Sequence, residues 1–551
     1  MRRSAPGSLA TVPSPRPTTA PAVALGEVAD LVEASLSSEA DRVSLTGVSL
    51  DSRTVQRGDL YAALPGFVSH GGSFVPQAVD AGAVAVLTDP QGADLSDDPG
   101  VPVLVVPDPR AVLGDVAALV YGRAARALRL VGITGTNGKT TTAYLLEAGL
   151  RALGERTGLL GTVETRVGET RIKSVRTTPE ATDLHALLAV MKEAGAADVV
   201  MEVSSHALAM HRVDGAVFDV ALFTNLSQDH LDFHETMDDY FAAKASLFTS
   251  ARARRGVVCV DDQWGARLAR EAEIPVVTVG SHLGSSANWV VRHRNRPQFT
   301  LAGPAGTLEL PCHLPGDFNV VNTALAAVTL VQLGHSLAEV ERAMQEQPTV
   351  PGRMELVTAT DPDPDRDPRC IVDYAHSPEA VEAALRALRP TTRGKLVAVL
   401  GAGGDRDRGK RAGMGAAAAE WADHVVVTDD NPRSEKPATI RGEVRQGAAG
   451  HSARSVDGSG GSASLRARIV APGRTAGGSP TVTDVGDRWK AIDAAVTMAR
   501  REGRPADNTV VVLGKGHETG QEIDGVVHAF DDREALRAAL DGLVYRPEAS
   551  A

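Results

Sequence analysis

The sequence predicts an α/β fold in three domains, and three observations carry the prediction. At 551 residues the chain is too long for one hydrophobic core, and the usual domain size gives about three units. Apolar runs of strand length alternate with helix-length segments, the order expected when parallel strands are covered by helices. That alternation restarts near Leu128 and again near Pro351.

Taken in order, residues 1–23 carry Pro6, Pro13, Pro15, Pro17 and Pro21, which break up any apolar core of an export signal, and a disordered tail is expected there. Residues 24–125 hold short apolar runs at 83–87 and 101–106 between Gly, Pro and Asp clusters, predicting a small N-terminal α/β domain. In 126–350 an apolar strand, a glycine loop and a helix begin at Leu128, with further strands at 198–203 and 219–223. This predicts a central parallel-sheet domain of P-loop type. In 351–545 the elements at 395–400, 410–421, 424–428 and 509–513 predict a C-terminal Rossmann-like domain. Within it, 447–480 is rich in Gly, Ser, Ala and Arg without periodicity and reads as a flexible surface insertion.

Composition narrows the function classes. Hydrophobic residues at 43% and charged residues at 23% are the balance of a soluble globular protein. Aromatics at only 4%, with 54 glycines, suggest Ala/Val-rich layers joined by tight loops. A formal charge of −12 argues against binding nucleic acid through a broad basic field. Cys259, Cys312 and Cys370 are odd in number and lack metal-ligand spacing, which fits a reducing cytoplasm and argues against a disulfide framework or zinc cluster. No run approaches the roughly 18 apolar residues of a membrane span, so no membrane insertion is expected.

The strongest local signal is Thr134, Gly135, Thr136, Asn137, Gly138, Lys139, Thr140 and Thr141, between an apolar run and a helix-length segment. Glycines let backbone N–H groups turn toward phosphate oxygens, the helix N-terminus adds positive potential, and Lys139 reaches the outer phosphates. The Thr140 hydroxyl suits a magnesium ion. Ile133 stands where the usual phosphate-loop pattern begins with glycine. By itself the loop fits any nucleotide hydrolysis or transfer.

Read together with MEVSSH (201–206), NLSQDHLD (225–232), DYAH (373–376), DNPR (430–433) and GKGHE (514–518), this loop resembles the Mur ligase family. The resemblance runs from about Gly47 to Leu543. It implies an ATP- and Mg2+-dependent acid–amino-acid ligase, which makes an acyl phosphate of a substrate carboxylate and lets an amine attack it. Of the family's branches, the chain resembles the one that joins diaminopimelate to the D-glutamate of UDP-N-acetylmuramoyl-L-alanyl-D-glutamate in peptidoglycan precursor synthesis. A cytoplasmic enzyme acting as a monomer is expected.

The same resemblance assigns site residues. Lys139, Glu202, His230 and Lys244 match the catalytic set, with Thr140, Glu202, His230 and Lys244 as metal ligands, the last as an N6-carboxylysine. Taken alone, His230 reads as structural and Lys244 as a solvent-facing helix lysine. Asn319, Arg353 and Asp373 join Gly135 to Thr141 in ATP binding. Leu50 and Ser52 match the UDP site, and Thr177, Thr178, Ser204 and Arg212 the muramoyl-peptide site. Arg406, Asp430, Asn431, Pro432, Arg433, Gly514 and Glu518 match the diaminopimelate pocket, where Arg433 would receive the distal carboxylate that lysine lacks.

Overall fold

Strands paired in parallel need cover on both faces, and each of the larger sheets finds it from helices before and after its strands. The computed structural model of the chain describes residues 15–19, 21–66, 68–282, 284–295, 297–454 and 480–547. In the first block, Gly47–Ser49, Asp59–Ala63, Ala85–Thr88 and Val103–Val105 form a parallel sheet in that order. Leu25, Val28, Val116 and Val120 pack on one face, and Val75 and Ala78 on the other.

The central sheet has 11 strands. Its middle, from Thr157–Leu160 to Trp289–Asn295, is parallel as the sequence predicts. Antiparallel strands extend it at both edges, Glu164–Val167 with Thr170–Lys173 on one side and Gln298–Gly303 with Gly306–Pro311 on the other. The turns at these hairpins are too short to hold the crossover helix that parallel pairing requires. The strand Arg129–Thr134 lies between Asp198–Glu202 and Val220–Phe223. The ends of both neighbours therefore flank the loop that follows it.

The third block is a six-stranded sheet, with Arg369–Asp373, Thr509–Leu513, Leu396–Leu400, His424–Val427 and Thr481–Asp484 parallel and Glu355–Val357 an antiparallel edge. Alternate residues of one strand serve opposite cores, Ile371 one and Val372 the other, as a period of two dictates.

Two expectations need correction. The expected tail is docked over part of its length: Arg16 pairs with buried Asp59, Thr18 N and Thr19 N donate to Glu193 at 2.9 and 2.7 Å, and Val23 opens a short strand. Residues 1–14 and 20 lie outside the described residues. The expected insertion begins as helix, because Pro437–Arg454 runs through Gly447. A Cβ on Gly447 would stand 1.9 Å from the Ala412 carbonyl oxygen, and one on Gly415 1.9 Å from that of Val444. These glycines let two helices cross closely; they do not loosen the chain. Residues 455–479 of the expected insertion lie outside the described residues. Among the described residues, no helix is long and apolar enough to cross a membrane.

Candidate active site

The loop after Arg129–Thr134 turns at Gly135 and Gly138, whose φ values of 140° and 88° favour glycine. It then enters the 14-residue helix Lys139–Ala152, so its N–H groups and the helix N-terminus point the same way. A second loop clamps it. Thr136 N donates to Asn225 O at 2.9 Å, Asn137 N to Asn225 Oδ1 at 3.0 Å, and Thr224 Oγ1 to Asn137 O at 2.6 Å. Lys139 Nζ donates to the Gly135 and Thr136 carbonyls, both at 2.9 Å. Burial lowers its pKa, with Glu202 opposing.

Glu202 ends its strand beside the loop, 1% exposed. Its Oε2 accepts from Thr140 Oγ1 at 3.0 Å, while Thr162 supplies its N–H at 2.8 Å and its hydroxyl at 3.0 Å. A hydroxyl and a carboxylate are hard oxygen donors, and this pair fits a magnesium ion. Thr141 is buried in the same helix turn.

Lys244 is 1% exposed, against the solvent-facing reading. Its Nζ donates to Gly135 O at 2.8 Å and lies 4.7 Å from the centre of the Tyr240 ring. Burial, reinforced by Lys139, holds its pKa well below that of an ordinary lysine. His230 sits at a left-handed φ of 55°, its ring 4.9 Å from that of His206 and 6.1 Å from Tyr240. His230 and Lys244 thus share Tyr240 as a neighbour.

Arg353 reaches across from the third domain, its Nη2 3.2 Å from Thr140 Oγ1 and its guanidinium 4.3 Å from the Tyr374 ring centre. Both Asp373 oxygens accept backbone N–H groups, from Met354 and Ala375, so the carboxylate fixes the segment that carries Arg353. Burial raises its pKa. Asn319 and Asn322 are buried and bonded to each other at 3.0 Å. A Cβ on Gly138 would lie 2.5 Å from Asn322 Oδ1.

Of the residues expected at the muramoyl-peptide site, Thr177, Thr178 and Ser204 gather around Glu202. Thr177 Oγ1 lies 3.0 Å from Thr162 Oγ1, Thr178 Oγ1 donates to Glu202 O at 2.8 Å, and Ser204 N donates to Thr178 Oγ1 at 3.0 Å. Ser204 also caps the helix Ser205–Ala209. Arg212 pairs with Glu180 at 2.9 Å, while its buried Nε has no protein partner among the described residues. Apart from these, Ser52 bonds Gln77 at 3.1 Å in the N-terminal domain, and Leu50 packs on that domain's core.

Three loops build the remaining pocket. Arg433 donates from Nη1 to Gly404 O at 2.7 Å and lies 3.2 Å from Glu522. A Cβ on Gly403 would stand 3.0 Å from Arg433 Nη1 and 4.0 Å from Arg406 Cγ, so the bare glycine lets both arginines approach. Asn431 donates to Glu518 Oε2 at 2.9 Å. Gly514 has a φ of 114°, and a Cβ there would meet Asp430 Oδ2 at 2.4 Å. The carbonyl of Pro432 closes on Gly404 in the same way. Sequence reasoning missed Thr162, Tyr240, Tyr374 and Lys515 as individuals. The last two lie inside DYAH and GKGHE, and Thr162 follows Gly161, where a Cβ would come 2.6 Å from Glu202 Oε1.

Three family models match in order: Mur ligase family, catalytic domain, over 44–121; Mur ligase middle domain over 133–330; and Mur ligase, glutamate ligase domain, over 352–516. A UDP-N-acetylmuramoyl-L-alanyl-D-glutamate–2,6-diaminopimelate ligase from Streptomyces coelicolor is 49% identical over 531 residues, covering 96% of this chain and 98% of the relative. A UDP-N-acetylmuramyl-tripeptide synthetase from Leifsonia xyli subsp. xyli is 44% identical over 542 residues, covering 96% and 99%. A solved structure of a UDP-N-acetylmuramoyl-L-alanyl-D-glutamate–2,6-diaminopimelate ligase superposes with a TM-score of 0.63 at 30% identity, covering 95% of this chain and 99% of that one. Likeness of this degree along nearly the whole length places the chain in the Mur ligase family.

Proposed function

We propose that the chain ligates diaminopimelate to the D-glutamate of UDP-N-acetylmuramoyl-L-alanyl-D-glutamate, using ATP and Mg2+, and that it works as a monomer in the cytoplasm. The observation that carries this reading is the meeting of two unlike sites: a phosphate loop and a pocket holding both a guanidinium and a carboxylate. Arg353 spans the boundary between their domains, 3.2 Å from Thr140.

Each step places its own demand on the protein. In the loop from Gly135 to Thr141, the N–H groups of the helix start at Gly138 to Thr141, with Lys139 and Arg353, hold ATP phosphates and neutralise charge that grows during phosphoryl transfer, while Thr136 and Asn137 brace the loop on Asn225. Thr140 and Glu202 would hold magnesium, which supplies further charge neutralisation when bound. Burial lowers the pKa of Lys244, which favours the free amine that carbon dioxide needs to form a carbamate, and in that form it would act with His230 on a second ion. Thr177, Thr178, Ser204 and Arg212 orient the acceptor carboxylate, and Leu50 and Ser52 hold the UDP end. Arg433 and Arg406 receive the distal carboxylate of diaminopimelate, while Asp430 and Glu518 receive its ammonium, with Asn431 donating its NH2 to Glu518. Domain contacts across the site exclude water from an acyl phosphate that water would hydrolyse.

The test is product formation followed by mass, with ATP, magnesium and the UDP-muramoyl dipeptide, offering meso-diaminopimelate, LL-diaminopimelate and L-lysine in parallel. A diaminopimelate adduct is expected. A lysine adduct would overturn the reading of Arg433, and ATP turnover without adduct would overturn the ligase reading.

A further inference from the structure

We propose that Lys515 is a positioning residue of the amino-acid pocket: its buried ammonium fixes Asn431 and Glu518 in the orientation that receives the incoming diamino acid. This rests on the ligase reading above. Lys515 follows the strand Thr509–Leu513 and is fully buried. Its Nζ lies 3.1 Å from Asn431 Oδ1 and 3.2 Å from Glu518 Oε2, and Asn431 Nδ2 lies 2.9 Å from that same Oε2. The three side chains close a triangle.

Its chemistry allows one arrangement. An ammonium only donates, so the amide atom facing it must be oxygen; Glu522 N also donates to this atom, at 3.0 Å. The Asn431 NH2 is thereby turned onto Glu518. With Oε2 taken by two donors, Oε1 has among the described residues only the Tyr374 hydroxyl at 3.4 Å, a long contact, and the side chain is 33% exposed. Oε1 is therefore the atom with capacity for a substrate ammonium. Arg488, buried, bonded to Asp532 at 2.7 Å and 4.0 Å from Asp430, also acts on Glu518 through its charge, and Arg353 stacks on the Tyr374 ring beside it. Among the described residues neither arginine donates a hydrogen bond to Glu518, and Lys515 is the cation in contact with it. Burying an ammonium is costly where a hydrocarbon of the same length would pack freely, which leaves core stability a poor account of this lysine.

The test is a kinetic cycle with Lys515→Met, Glu518→Gln and the double variant, in which no charge is left unpaired if the single change impairs folding. Lys515→Met is expected to raise KM for diaminopimelate about tenfold or more, with KM for ATP held within about twofold. In the double variant KM should rise no further than in Glu518→Gln alone, because Lys515 acts through that carboxylate. Multiplying effects in the cycle, or equal rises in both KM values, would overturn the proposal. Loss of active enzyme with both KM values unchanged would also overturn it, by reducing Lys515 to a structural role. A native enzyme that forms no diaminopimelate adduct would instead remove the ligase reading beneath it.

Discussion

At the phosphate loop, consecutive residues from Gly138 to Thr141 offer main-chain N–H groups at a helix start, and a second loop secures the turn before them through bonds such as Thr136 N to Asn225 O. The amino-acid pocket has no such continuity. Its guanidinium, amide and carboxylate come from Arg433, Asn431 and Glu518, and the groups that orient them come from the loops of Gly404 and Lys515 and from the strand of Glu522. One site depends on backbone that every side chain shares; the other on side chains that no neighbour can replace. Substitution should therefore act on the two by different routes, through turnover at the phosphate side and through amino-acid affinity at the pocket.

The largest expected effect is at Lys244. Replacement by methionine, which keeps most of the buried side chain's volume, should lower kcat about 10³-fold, roughly 4 kcal/mol of barrier, with thermal stability retained. Initial rates beside a melting curve check both parts, and native-like turnover would strip the carbamate reading of its basis.

Arg433→Ala comes next, with an expected rise of about 10²-fold in KM for diaminopimelate and no change beyond about twofold for ATP. Arg433→Lys should not restore it, since a point charge does not reproduce a planar fork. A parallel rise in KM for ATP would erase the contrast between the two sites.

Thr162→Val sharpens the phosphate side. It removes one hydroxyl bond from Glu202 and leaves the backbone bond, so kcat should fall about tenfold with KM for diaminopimelate unchanged.

The last effect is on stability against pH and leaves turnover aside. Burial, aided by Arg353 and Arg533, lowers the His517 pKa from 6.5 to about 3. Because the folded value lies below the unfolded one, unfolding takes up a proton in between, and stability falls as pH drops from 6.5 toward 3. The slope from this group is at most about 1.4 kcal/mol per pH unit, and His517→Gln should flatten the melting temperature across that window.

Much of the phosphate side was legible because its parts are local: strand, glycine turn, lysine and helix follow one another in sequence. The amino-acid pocket was legible only through resemblance, since Arg433 after Asn-Pro reads alone as an exposed turn residue. Thr162 stayed hidden because strand order, which no local pattern encodes, brings it to Glu202, and Lys515 because its contact with Asn431 joins two loops far apart in the chain. Composition misled twice. Gly447 has the look of a linker and serves a helix crossing, and Arg16 has the look of a tail and meets Asp59.

The sequence by itself determined the alternation of strands and helices, the phosphate loop and the side chains available for chemistry, because periodicity and turn residues act over a few positions. Tertiary structure decided which strand ends flank that loop, that Lys244 is buried against Gly135, and that Arg353 of the third domain reaches Thr140 of the second. Those depend on contacts between residues far apart in the chain, where burial changes a group's charge state and its partners together.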